Sequence, residues 1–351
     1  MFESIATSQL HHRQAWIQAQ YVPARLITAN IIDIRTDKSE TQLRQSLEEC
    51  IHATCHGEAS MPELLLWDEK GLRYFEDVTY TPSYYLTNEE IALLEKYKYQ
   101  IAKNIPSGSM LVELGSGNLR KIKILLEALD ELGREVDYFA LDVSCQELER
   151  TLRVVPPGTF RHVRCFGLLG TYDDGRDWLQ LPEIRSRSKT IISLGSTLGS
   201  FQRPDAVDFL ASFVGNASGS NTSILLGLDG CKDPERVLAA YNDPEGVNCR
   251  FIKHGLERAN EVLGYEAFDH EKWSVMGCWD AEHGSHNQYY LPLDEVDLGG
   301  VTVPVGRSIL AVQSYKYDAD DRDELCQRAG LDLVDAWTSE HDYNVLFLQN
   351  A

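Results

Sequence analysis

The sequence predicts an α/β protein in which a mostly parallel sheet is covered by helices on both faces and a second, discontinuous α+β lobe packs over it. Three observations lead there. From about residue 88 to Asp229, short apolar runs alternate with amphipathic helical patterns, the rhythm of parallel strands joined by crossover helices. The first run, Leu111-Val112-Glu113-Leu114, stops in Gly115-Ser116-Gly117, and the second, Tyr138-Phe139-Ala140-Leu141, stops in Asp142. Beyond Gly230 the rhythm is lost, and it returns only in the tail.

Taken in order, residues 1–87 are irregular apart from a helix over Thr41–His52, where Leu43, Leu47 and Ile51 share a face. Asn88-Glu89-Glu90 ahead of Ile91-Ala92-Leu93-Leu94 reads as a capped helix start with acids in its first turn. A strand at 110–114 leads to a helix from 120, with Ile122, Leu125, Leu126, Leu129 and Leu132 on one face. There follow a strand at 137–142, a helix from Ser144 to about Val154 and a strand near 160–166. Next come a strand at Thr190–Leu194, a helix from Asp205 to about Val214 and a strand at Ser223–Leu228. Residues 232–315 read as helices and longer strands of mixed pattern, rich in aromatics (Tyr265, Phe268, Trp273, Trp279, Tyr289, Tyr290). The tail resumes as a strand at Ile309–Tyr317, a helix over Asp321–Ala329 and a strand at Tyr343–Leu348. The expected division is therefore 88–231 with 316–351 as a cofactor domain, and 1–87 with 232–315 as a substrate-binding lobe.

Composition bounds the function. At 43% hydrophobic and 25% charged residues the chain reads as an ordinary soluble globular protein. A net charge of −21 opposes nucleic acid and anionic membrane surfaces as partners. Eight cysteines follow no disulfide rhythm, and Cys50-Ile-His-Ala-Thr-Cys55-His56 lacks a second ligand pair, so no structural metal is expected. Met1-Phe2-Glu3-Ser4 opens no secretory signal and no apolar run spans a membrane, which predicts a reduced, cytoplasmic protein. Monomer and homodimer are both compatible with the sequence.

The glycine turn and the acid carry the chemistry. A strand that stops in glycine lets backbone approach a ligand, and an acid at the tip of the second strand can accept from both hydroxyls of a ribose. The dinucleotide fingerprint needs a third glycine, but Arg120 stands there, and no Gly-Lys-Ser/Thr follows. A redox enzyme on a dinucleotide-binding fold is thereby disfavoured. Glu113-x-Gly115-Ser116-Gly117 with Asp142 suits an adenosine cofactor without phosphate, such as S-adenosylmethionine. Two further segments suit a ligand site. Trp67 to Phe75 and Thr81-Pro82-Ser83-Tyr84-Tyr85 form an aromatic stretch fit for a lid, and Gly195-Ser196-Thr197-Leu198-Gly199-Ser200 is a strand-end turn. The latter is no nucleophile elbow, because its serine stands one place early.

Tyr74-Phe75…Pro82-x-Tyr84-Tyr85-x-Thr87, Val112-Glu113-Leu114-Gly115-Ser116-Gly117, Leu141-Asp142-Val143 and Gly195-Ser196-Thr197-Leu198-Gly199 occur in that order. Over roughly residues 60–350 the chain resembles the histidine-specific methyltransferase family, whose founding members trimethylate histidine in ergothioneine biosynthesis. The resemblance implies a Rossmann-like S-adenosylmethionine-dependent methyltransferase sheet, a separate substrate lobe and a small amino-acid substrate. It places Phe75, Gly115, Lys121, Asp142 and Gly195 on the cofactor, with Gly167 and Leu168 where the family has glycine and aspartate at the adenine. Tyr84 and Tyr241 match the tyrosines that hold the amine and carboxylate of the amino acid. Trp67, Thr197 and Ser200 fall on the substrate, Ser200 standing in an asparagine position, and a methionine position falls on Tyr289.

The departure that bears on substrate is at Val312. Histidine-methylating members use a glutamate there and a serine two residues later; here Ser314 is kept and the carboxylate is not. An imidazole would lose its partner at a cost of about 1–3 kcal/mol. An indole is better accommodated, as in the fungal branch that N-methylates 4-dimethylallyltryptophan in ergot alkaloid biosynthesis. L-tryptophan, histidine at its α-amine, and a non-catalytic cofactor-binding regulator are the alternatives.

Overall fold

Alternate residues on the central strands face two different hydrophobic cores, and this sets the layering. The structure, a computed structural model, describes residues 25–28, 30–36, 39–55, 57–214 and 221–351. The stretch 1–24, expected in the substrate lobe, and His56 lie outside these residues. In chain order the strands are β1 (Arg25–Leu26), β2 (Ile31–Asp33), β3 (Ala59–Ser60), β4 (Ser109–Leu114), β5 (Val136–Asp142), β6 (Val163–Leu169), β7 (Lys189–Ser193), β8 (Thr222–Asp229), β9 (Trp273–Asp280), β10 (Ser285–Pro292), β11 (Val296–Asp297), β12 (Thr302–Val303), β13 (Ile309–Tyr315), β14 (Leu331–Thr338) and β15 (Tyr343–Asn350).

Among the described residues one nine-stranded sheet has the order β1-β2-β6-β5-β4-β7-β8-β15-β14. Strands β2, β6, β5, β4, β7 and β8 run parallel, while β15 enters antiparallel between β8 and β14. On β4 and β5, Leu111, Tyr138 and Ala140 face one core, and Met110, Val112, Leu114, Phe139 and Leu141 face the other. The first core is closed by Leu125 and Leu129 of the helix Ile122–Glu131, Leu148 and Leu152 of Cys145–Val154, and Leu94 and Ile101 of Tyr85–Asn104. The second is closed by Trp178 of Tyr172–Leu179, Leu210 and Phe213 of Arg203–Val214, and Leu325 of Ala319–Arg328. This is a Rossmann-like three-layer α/β arrangement. A smaller sheet, β3-β13-β10-β9, stands beside it, and Ile31–Asp33 of β2 extend the large sheet alongside β6.

Most expected elements sit where periodicity puts them, within a few residues, but the helix Glu69–Thr79 replaces a stretch expected to be irregular, the helix Tyr172–Leu179 is absent from the sequence reading, and three other elements differ. The helix expected from Asn88 starts at Tyr85, without a side-chain cap, because the turn Thr81–Tyr84 already directs the chain into it. Its acids are therefore not first-turn acids: Glu89 pairs with Arg236 at 2.8 Å and Glu90 points into the core. The strand expected near 160–166 runs from Val163 to Leu169, since a turn closed by Thr159 N–H on the Pro156 carbonyl delays it. Strand β14 is absent from the sequence reading because Asp332 and Asp335 interrupt its apolar residues, and as an edge strand it is mostly exposed. No helix among the described residues is long and apolar enough to cross a membrane.

Phe347 lies wholly buried on the inserted antiparallel strand β15. Phe347→Ala is expected to cost about 3–5 kcal/mol by loss of buried surface and creation of a cavity, read as a lower midpoint in urea unfolding.

Candidate active site

A cavity of about 490 Å³ opens at the carboxyl ends of β4, β5, β6 and β7, the side on which open α/β sheets bind ligands. Its floor is Gly115–Gly117, Asp142-Val143, Gly170–Tyr172 and Leu194–Thr197. The helix Glu69–Thr79 covers it with Leu72, Phe75 and Glu76, while β10 and β13 of the small sheet bring in His286, Gln288, Val312 and Ser314. Sequence-distant segments thus meet because both sheets present strand residues to one space.

At the first glycine turn the backbone of Gly115 has φ +70°, and a Cβ there would stand 2.8 Å from the Tyr172 hydroxyl. Only glycine fits both the left-handed conformation and that approach. Beside it Ser116, also in the cavity lining, carries a buried hydroxyl with no partner in the protein. Asp142 accepts from Ser144 N–H at 3.0 Å, yet burial pushes its carboxyl up to about 6, with that backbone bond opposing the shift. A buried carboxylate at a strand tip, an unpartnered hydroxyl and an open glycine turn suit an adenosyl group, and the residues fit S-adenosylmethionine.

Lys121 also lines the cavity and pairs with Glu90 at 2.8 Å. Glu90 is fully buried. It accepts from Gly195 N–H at 2.8 Å and from the Tyr343 hydroxyl at 2.8 Å. Room for it exists because β8 has glycine at 227, where a Cβ would fall 1.9 Å from the Glu90 carboxylate. Glu90 therefore ties together the lysine of the first βα turn and the glycine at the end of β7.

The aromatic residues form a connected wall. Trp67 meets Phe75 edge-on at 5.1 Å, Phe75 meets Tyr84 at 6.1 Å, Tyr84 meets Tyr241 at 5.7 Å, and Tyr241 stacks on His286 at 4.5 Å. The Tyr241 hydroxyl and Ser314 Oγ are 2.9 Å apart, and Lys316 Nζ donates to both, at 3.0 and 3.1 Å. Lys316 is itself fully buried and paired with Asp229 at 2.8 Å. Burial alone would lower its pKa, but the Asp229 charge, the Tyr241 oxygen and the hydrogen bonds to both together outweigh it and hold the ammonium above its ordinary value. Burial, the Tyr241 hydroxyl and the Asp229 charge push the Tyr84 phenol well up, so its proton stays on. Burial and the Lys316 charge push the His286 imidazole down to about 3, leaving it neutral. The site is equipped to orient a polar head group and to exclude water, with Tyr84 as a protonated phenol.

Trp67, Phe75, Tyr84, Gly115, Ser116, Gly117, Lys121, Asp142, Gly195, Thr197, Ser200, Tyr241, Val312 and Ser314 all line this one cavity. Four expected residues do not. Glu113 lies beneath the glycine turn, where its carboxyl accepts from the Tyr138 hydroxyl and burial raises it to about 8. Gly167 and Leu168 lie inside β6, because that strand runs on to Leu169; Gly167 faces Ile31, Leu148 and Leu152. Gly170, Thr171 and Tyr172 form the tip instead. Tyr289 is on the other face of β10 from His286 and Gln288, as strand alternation requires. Glu63, Glu90, Asp229, His286, Gln288 and Lys316 escape sequence reasoning. For Asp229 and Lys316 a signal existed, since each follows an apolar strand end (Leu228-Asp229, Tyr315-Lys316). Glu63 and Glu90 sit in stretches that read as solvated.

A family model of histidine-specific, S-adenosylmethionine-dependent methyltransferases matches residues 40–351. The chain is 45% identical over 322 residues to ergothioneine biosynthesis protein 1 of Neurospora crassa, covering 91% of this chain and 36% of that protein. It thus spans about a third of that relative's length. It is 36% identical over 284 residues to the N-methyltransferase fsqC of Aspergillus fumigatus (79% of this chain, 76% of that one). To the 4-dimethylallyltryptophan N-methyltransferase easF of Epichloe festucae var. lolii it is 33% identical over 332 residues (89% and 95%).

Two outcomes follow from the geometry. A carboxylate that accepts from a ribose diol does so in its ionised form, and burial pushes the Asp142 carboxyl up to about 6. Affinity for S-adenosylmethionine should accordingly be full above that value and fall as pH drops through it, by about tenfold between pH 7 and pH 5. Calorimetric titration across that range checks this, with Asp142→Asn giving weaker binding and no such step. Lys316→Met leaves Asp229 buried without its cation and should cost roughly 3–5 kcal/mol, measured by urea unfolding.

Proposed function

The chain belongs to the family of histidine-specific, S-adenosylmethionine-dependent methyltransferases, and on that premise we propose that it methylates the α-amine of an indole amino acid, 4-dimethylallyl-L-tryptophan fitting best. Val312 carries the reading: it lines the cavity two residues before Ser314 on β13, and offers apolar surface where a histidine-binding site needs a carboxylate. Leu64, Trp67, Leu72, Phe75 and Phe251 extend that apolar lining. A bulky indole buries surface there, whereas an imidazole would leave ring nitrogens without a partner at this position.

The bound cofactor supplies an activated sulfonium methyl group. Transfer to the deprotonated amine would form the C–N bond as the C–S bond of the cofactor broke, leaving a neutral thioether. Tyr84 and Tyr241 orient the amine and carboxylate, and Lys316 fixes the Tyr241 hydroxyl through its bond. The ammonium proton passes to water. In this reading 88–231 with 316–351 supply the cofactor face and 1–87 with 232–315 the substrate face, except that Arg25–Leu26 and Ile31–Asp33 join the large sheet. L-tryptophan is the nearest rival substrate, since the same apolar wall would hold its ring.

Incubation with methyl-labelled cofactor and, separately, histidine, tryptophan and 4-dimethylallyltryptophan tests the proposal. Label should enter the prenylated indole amino acid most efficiently. Transfer to histidine alone overturns the indole assignment, and release of S-adenosylhomocysteine with none of these amines points to a binding protein. Val312→Glu should raise histidine turnover relative to tryptophan by roughly tenfold or more, the value of a restored buried hydrogen bond.

A further inference from the structure

Five carboxylates line the cavity, and four of them have an evident partner. Glu76 and Glu147 pair with Arg150 at 2.9 and 2.7 Å, Asp173 pairs with Arg176 at 2.9 Å, and Asp142 accepts from Ser144 N–H. The fifth, Glu63, has no Lys, Arg or His within ion-pair distance among the described residues. It opens the short turn Glu63–Leu66; its Oε1 accepts a long bond, 3.3 Å, from the Trp67 indole N–H, and the Ser200 hydroxyl is its second donor, which leaves acceptor positions open. The Ser200 hydroxyl stands beside it, and burial raises its carboxyl while Ser200 and Trp67 oppose the rise. The Tyr172 phenol lies close enough to feel the Glu63 charge, and the apolar Leu64, Phe201 and Phe209 line the same cavity. A carboxylate has about four acceptor positions, and burying it without donors is costly. A ligand that brings an N–H to this point would complete it.

We propose that Glu63 determines substrate specificity by accepting a hydrogen bond from an N–H of the amino-acid substrate, so that the acceptor absent at Val312 is supplied from the turn preceding Trp67. The inference rests on the methyltransferase reading above and names the polar contact which that reading lacks. Two groups of an indole amino acid carry the required N–H, the ring nitrogen and the α-ammonium. Glu63 is a binding residue in this account, beside Ser200 and at the far end of the aromatic wall from His286.

The test is Glu63→Gln, which keeps the side-chain volume, with ligand affinity measured calorimetrically in the presence of S-adenosylhomocysteine. L-tryptophan should bind the variant at least tenfold more weakly than the wild type. The affinity for S-adenosylmethionine should change by less than twofold, which also reports an intact fold. Two analogues locate the donor. If it is the ring N–H, 1-methyl-L-tryptophan loses affinity for the wild type but not further for the variant; if it is the ammonium, indole-3-propionate shows that pattern. Unchanged tryptophan binding, a loss that falls on the cofactor, or equal losses with both analogues in both proteins would each overturn the inference. Should the wild type bind no indole amino acid, the indole assignment alone fails. The comparison is then made with L-histidine, where a tenfold loss in Glu63→Gln supports the role of Glu63 and an unchanged affinity overturns it.

Discussion

The buried pair between Asp229 and Lys316 is the contact on which the site depends. Asp229 ends β8 of the large sheet, and Lys316 follows β13 of the small one. Neither is exposed, so each charge is tolerable only because of the other and of the hydrogen bonds around them. The Tyr85 hydroxyl donates to Asp229 at 2.6 Å, Cys231 N–H at 3.1 Å, and the Asp229 carbonyl accepts from Tyr317 N–H at 2.8 Å. From this node Lys316 reaches Tyr241 and Ser314, so the polar end of the cavity is built on a joint between two sheets.

A second buried carboxylate does comparable work for the cofactor half. Glu90 gathers Lys121, Gly195 and Tyr343, drawn from the first βα turn, the end of β7 and the antiparallel strand β15. Both nodes are polar groups in a dry interior with their partners already in place. Such groups need little reorganisation when a ligand arrives, which is how a protein can align an amine with a sulfonium methyl without a strong base.

Much of this arrangement was legible in the chain. Strands such as Leu111–Leu114 and Tyr138–Asp142 are fully buried on both faces and read as continuous apolar runs, and helices such as Ile122–Glu131 carry a clear stripe. The glycine turn, Asp142, Tyr84, Tyr241 and Val312 came from motif and resemblance, and the fold brings them to one cavity. What sequence could not give was depth and facing. Glu90 looks like a first-turn acid until the start of the helix is known. Gly167 looks like a strand tip until the turn at Pro156 shifts the strand towards its carboxyl end. Tyr289 and Gln288 differ only in which side of β10 they occupy, and a local register irregularity between them hides that from spacing alone. Edge strand β14, exposed and punctuated by acids, lacks the apolar signal that marks its neighbours.

Val312, Ser314 and Lys316 follow one another at every second position, so one extended segment presents all three to the same side. The outermost lines the cavity, the middle one bonds Tyr241, and the innermost anchors the segment to the large sheet. Tasks that differ in tolerance to change are thus spaced along a single strand. In the reading proposed above, exchange of the residue at 312 changes the substrate while the anchor at 316, two side chains away, is kept. Divergence in such a scaffold needs no rebuilding of the catalytic centre, only a change at the end of the strand that holds the least weight.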